Sequence, residues 1–132
     1  MTQEDKNILL KDICARIPYG LFCQTDDGKG RLISVECSFG DDLVYVDFGY
    51  LEAKEYDLNE GDSVKPYLRP MPSMTAEEKQ SYYKLMDNLH FASGSFYSPD
   101  IKDWLDERFF DYRGLIHMGL ALEAPEGMYK TN

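Results

Sequence analysis

Basic residues are scarce in this chain. Its 132 residues hold 14 Lys and Arg against 24 Asp and Glu, a formal net charge of −10. Phosphate contacts are made by Lys and Arg, so direct binding to a nucleic-acid backbone is disfavoured, and so is an anionic membrane surface. Long apolar runs are missing too. None approaches the roughly 20 residues that cross a bilayer. The first residues, MTQEDKNILLKDICARI, are acidic and amphipathic and lack the basic start and apolar stretch of a secretory leader. A cytoplasmic location is expected. Cys14, Cys23 and Cys37 are odd in number and match no zinc or redox spacing, so reduced and mostly buried thiols are expected. The two histidines, His90 and His117, lie far apart, and no GxSxG or P-loop pattern is present. No metal and no cofactor is expected from these patterns.

What the chain does have is apolar and aromatic surface: 43% hydrophobic residues, with ten Tyr, seven Phe and one Trp. That is enough to bury a core without disulfides or metal and to offset ordering entropy. One domain is expected over 1–132.

Thr2, with Asp5 three residues on, starts a helix with Ile8, Leu9, Ile13 and Ile17 on one face, and Pro18 ends it. A period near two follows. Tyr19, Leu21 and Cys23 share a face; DDGKGR at 26–31 is a hairpin turn; Ile33, Val35 and Cys37 are expected inward, with Ser34 and Glu36 outward. DLVYVDFGYL reads as a central third strand, and a further short strand or irregular crossing precedes the NEGD turn. Residues 65–74, rich in proline, read as an extended bridge between a helix-plus-β half (1–64) and a mainly helical half (75–132). Lys65 and Arg69 on that bridge are expected to lie against the acidic surface of 41–62, with a partner-facing role as the alternative. Thr75 and Glu78 form a capping box that opens a helix with Tyr82, Met86 and Leu89 on one face. Ser98 and Pro99 open another, with Ile101, Trp104, Leu105 and Phe109 as its stripe. Asp111 caps a short final helix stopped by Gly119, and LALEAPEGMYK reads as strand, turn and short return.

The fold class expected is therefore α+β: an N-terminal helix, a curved antiparallel sheet of about four strands with a barrel-like form in view, and a C-terminal helical half with a short β tail.

Charge is concentrated. Residues 41–62 hold eight acids and one base, a net −7. Such a strip favours a basic partner or simple solubility. Asp100, Asp103, Asp106 and Glu107 on one helix read as acids that complement its dipole, with Lys102 and Arg108 offsetting their charge. Most of Trp104, Phe109, Phe110 and Tyr112 must be core, while Phe110 and Tyr112 flank a break and offer an interaction patch.

The segments KPYLRPMPSMTAEEK (65–79) and DWLDERFFDYRGLIHMGLALEAPEGMY (103–129) resemble small uncharacterised proteins of gut Bacteroidales, a group often associated with phage or other mobile elements. The resemblance implies a cytoplasmic accessory protein and carries no activity, cofactor or site residue with it.

The leading functional reading is a non-enzymatic protein-binding module that contacts an unidentified protein partner through Asp41, Asp42, Asp57, Asp62, Tyr67, Phe110 and Tyr112. Three alternatives stand beside it: an acidic nucleic-acid mimic that inhibits a host DNA-binding enzyme; a small hydrolase using His90 or His117 with a carboxylate; and a winged-helix-like DNA binder.

Overall fold

A computed structural model describes residues 1–38, 40–49, 52–87 and 99–129. Helix α1, Gln3–Arg16, starts as its sequence requires. The Asp5 N–H donates to Thr2 Oγ1 and the Thr2 N–H donates to Asp5 Oδ2, so two otherwise unpaired amides are satisfied reciprocally. Its buried residues, Leu9, Leu10, Asp12, Ile13 and Arg16, recur at helical spacing.

The chain then forms β1 (Phe22–Thr25), β2 (Gly28–Ser38), β3 (Asp41–Asp47), β4 (Lys54–Asp57) and β5 (Val64–Leu68). Helices α2 (Ala76–Asp87) and α3 (Pro99–Glu107) follow, and β6 (Leu122–Glu123) closes the order. The strands form one sheet in the order β4-β3-β2-β1-β5-β6. The first five pair antiparallel, and β6 runs parallel to β5. The α+β class and the N-terminal helix stand. The sheet is larger than the four strands expected, it is mixed, and it is not closed into a barrel.

The sheet is nonetheless strongly curled. Tyr56 on the edge strand β4 places its hydroxyl 3.1 Å from Thr25 Oγ1 on β1, although β3 and β2 lie between. Flat strands would hold β4 and β1 about 14 Å apart, three spacings of nearly 5 Å. The side chains meet because the inner face is concave. Against that face pack Leu9, Leu10 and Ile13 of α1 with Leu21, Leu32, Val44, Val46, Val64 and Leu68.

Residues 65–68 of the proline-rich segment are a sheet strand, extended as expected. Pro66 sits opposite Cys23, and the strands part beyond it. There the Tyr129 hydroxyl stands in for a ladder bond, accepting from the Phe22 N–H at 3.0 Å and donating to the Tyr67 carbonyl at 2.8 Å.

Several sequence expectations are corrected. On β2 the inward residues are Leu32 and Val35, while Ile33 faces outward and Cys37, though on the inner side of the ladder, is exposed. A bulge between Leu32 and Ser34 inserts one residue, so Ile33 is 46% exposed and the pleat changes phase. Cys14 and Cys37 are exposed, and only Cys23 is buried. On α2, Glu78, Tyr82 and Leu85 turn inward while Met86 is exposed; Leu89 lies outside the described residues, as do His90 and Ser98. Phe109 is not on the α3 stripe. Its φ of 63° puts it in the left-handed region after the helix has ended, and its ring stacks on Tyr129 at 3.8 Å. Residues 112–118 form successive turns instead of a helix. Asp111 still caps them, accepting from the Leu115 and Ile116 amides, and Gly119 (φ 78°) still ends them: the Leu120 N–H bonds the Leu115 carbonyl and the Gly119 N–H the Ile116 carbonyl.

Candidate functional site

The register of β2, β3 and β4 decides where the acids go, because residues directly opposite in an antiparallel ladder share a face. Arg31 and Asp47 pair; Ser34, Tyr45 and Glu55 form a row; Glu36, Leu43 and Asp57 form the next; Ser38 pairs with Asp41. Apart from Ser38, all alternate with the inward row of Val35, Val44 and Tyr56, so they belong to the outer, convex face. That face carries Glu36, Asp41, Asp47, Glu55 and Asp57. Arg31, opposite Asp47, is the basic residue in these rows.

The four acids singled out in the sequence are thus divided. Asp41 and Asp57 share the outer face. Asp42 pairs with Cys37 on the inner side. Asp62 accepts from the Asp57 N–H at 2.8 Å, and Asp57 accepts from the Asn59 N–H at 2.9 Å, so these two carboxylates shape the turn after β4. Asn59 donates to the Gly40 carbonyl, which brings the β2–β3 turn and the turn after β4 to one end of the sheet. Tyr45 stands in the middle of the outer acids, its hydroxyl 3.0 Å from Glu55 and 3.1 Å from Glu36. Hydrogen bonding to Glu55 leads in pushing its phenol up to about 12. Lys54 lies with the inner rows and pairs with Asp27.

The aromatic candidates separate as well. Phe110 is fully buried, which removes it as a surface contact. Its ring lies beneath the Arg69 guanidinium at 4.2 Å and stacks on Trp104. Tyr67 is half-buried and donates to Gln24 Oε1 at 2.6 Å. Tyr112 is half-buried and donates to Asp106 Oδ1 at 2.9 Å.

Arg69 does not lie on the acidic surface. It pairs bidentately with Glu78, at 2.8 and 2.6 Å, and Glu78 also receives the Thr75 N–H. Burial works to raise the Glu78 carboxyl, but Arg69 and Thr75 together bring it below its ordinary value. Lys65 stands on β5 opposite Gln24.

Sequence reasoning missed a buried ionic network. Asp12 and Arg16, both 0% exposed, are joined by two hydrogen bonds of 2.9 and 3.1 Å. Arg16 also donates to the Phe110 carbonyl at 2.7 Å and lies 3.7 Å from Asp106. Arg113 reaches Asp12 at 2.7 Å and Asp106 at 3.5 Å. Two acids and two guanidinium groups therefore compensate one another inside the fold. Burial raises the Asp106 carboxyl, against the pull of Arg16, and pushes the nearby Cys23 thiol up to about 12 with help from Asp12. Asp106, expected to complement the helix dipole, is instead buried in this network. The one available signal was Asp12–Arg16 at a spacing of four on a helix, in phase with Leu9 and Ile13.

A cleft of about 670 Å³ lies between the segment after β5 and the tail after β6, lined by residues including Arg69, Ser73, Glu123, Glu126 and Tyr129. His117 is exposed and does not line it. Among the described residues no group of three or more His, Cys, Asp or Glu is placed to hold a metal ion, and no helix is long and apolar enough to cross a membrane. Comparison with family models, curated proteins and solved structures finds no match to this chain.

Proposed function

We propose that this chain is a non-enzymatic module that binds another protein, with the convex outer face of β2–β4 as its contact surface. The observation that carries the reading is the sorting of Glu36, Asp41, Asp47, Glu55 and Asp57 onto one outer sheet face, beside Arg31 and Lys29 of β2. A convex acidic face is complementary to a concave basic one, and such complementarity speeds encounter and sets register more than it adds raw affinity. Tyr45 gives the centre of the face a large amphipathic side chain of the kind enriched in contact surfaces. The division of Asp42 and Asp62 from this face favours an ordinary protein contact over mimicry of an evenly charged phosphate backbone.

The test is capture of partners by the tagged chain beside a variant carrying Glu36→Gln, Asp41→Asn, Glu55→Gln and Asp57→Asn, followed by affinity measurement with the captured protein. Each exposed pair is worth about 0.5 kcal/mol, so losing four weakens binding about thirty-fold and flattens its salt dependence. A partner bound equally well by both proteins would remove this face from the contact.

A further inference from the structure

The cleft beside β6 is walled by hydrogen-bonded turns. On one side Pro70 begins a short 3₁₀ turn, Met71–Ser73, held by the Ser73 N–H and hydroxyl on the Pro70 carbonyl, at 2.9 and 2.6 Å. The Thr75–Glu78 box follows directly. On the other side Pro125–Met128 closes a turn through the Met128 N–H on the Pro125 carbonyl, and Tyr129 is anchored by its hydroxyl between Phe22 and Tyr67.

Among the described residues of this cleft the uncompensated charge is negative. The Arg69 guanidinium is committed to Glu78 and to the Phe110 ring, so its charge is already compensated. Glu123 and Glu126 are exposed and have no ion-pair partner among the described residues. Main-chain groups add to this. In the parallel register Leu68 faces Glu123, and the Ala124 N–H bonds the Leu68 carbonyl. Residues 122 and 124 therefore turn their amide groups toward β5, while the N–H and C=O of Glu123 turn to the free side of the edge strand. A prebuilt cleft of about 670 Å³ is within the size range of binding pockets.

We infer that this cleft takes the arginine or lysine side chain of an extended segment of a partner protein, whose backbone pairs with Glu123 along the free edge of β6 and whose cation reaches across that strand to sit between Glu123 and Glu126, with Tyr129 and the prolines as walls. Strand addition supplies main-chain hydrogen bonds, and the cleft reads one side chain. This deepens the protein-binding reading, but on a surface separate from the acidic face of β2–β4, so either can fail alone.

The test is an amide chemical-shift titration of the whole chain with the capped tripeptide Ac-Ala-Arg-Ala-NHMe, beside Ac-Ala-Glu-Ala-NHMe. The arginine peptide is expected to shift the amides of Ser73, Glu123, Ala124 and Gly127 saturably, and the glutamate peptide to leave them in place. Glu123→Gln with Glu126→Gln, both exposed positions whose folding the same spectrum checks, weakens binding about fivefold, the loss of two exposed ion pairs. Shifts confined to β2–β4, equal response to both peptides, or undiminished binding by the double variant would each overturn the assignment.

Discussion

At the scale of single residues, the most consequential side chain is Arg16. It is fully buried, and its charge is tolerable only because Asp12, Asp106 and two main-chain carbonyls surround it. Replacing one member of a buried ionic group leaves the others uncompensated in a poorly solvating interior. Arg16→Met is expected to lose about 3–5 kcal/mol of stability in urea unfolding. Replacing all four of Asp12, Arg16, Asp106 and Arg113 with apolar residues of similar volume should cost much less than the single change, because the unpaired charge is what costs, not the absence of a salt bridge. Phe109 shows a different balance. A left-handed backbone is unfavourable for an aromatic residue, yet stacking on Tyr129 and the Arg69 N–H bond to the Phe109 carbonyl, 2.7 Å, hold it there.

At the scale of elements, strand packing depends on one close approach. Gly30 on β2 has no side chain, and a Cβ added there would stand 2.5 Å from Val46 Cγ1 and 2.8 Å from the Asp47 carbonyl oxygen. The second neighbour is backbone and cannot swing aside. Gly30→Ala is therefore expected to destabilise the chain by about 1–3 kcal/mol, read as a lower urea midpoint with an unchanged slope. The same strand shows why alternation alone misplaced Ile33. A bulge is one extra residue, it leaves no mark in a pattern of apolar letters, and it exchanges inward for outward at every position on one side of it. Helix starts were better marked, since Thr2–Asp5 and Thr75–Glu78 satisfy their amides within four residues of chain.

At the scale of the whole molecule, the last described residues close the fold. Tyr129 bridges β1 and β5 where Pro66 has ended their ladder, and its ring joins Phe109 and Phe22. Tyr129→Phe keeps the ring but leaves the Phe22 N–H without its acceptor. The expected cost is about 1–3 kcal/mol, with hydrogen-exchange protection lost first at Phe22. Unchanged protection at that amide would show that the hydroxyl is dispensable. The overall charge has its own arrangement: the acids of the outer face sit where water screens them, and each buried acid has a guanidinium partner.

The sequence by itself determined what local chemistry can determine. It was enough for the α+β class, the capped starts of α1 and α2, the hairpin at residues 26–27, the interior place of β3, the Asp111 cap and the Gly119 stop. The caps, the hairpin and the stop rest on groups that meet within about five residues. Only the tertiary structure decided the rest: the parallel docking of β6, the bulge, the burial of Phe110, the capture of Arg69 by Glu78 and Phe110, and the sorting of the acids between two faces. The Asp12–Arg113 contact spans 101 residues of chain, and no spacing rule reaches that far. A charged residue looks the same in sequence whether water or an opposite charge compensates it, and the fold alone chooses which.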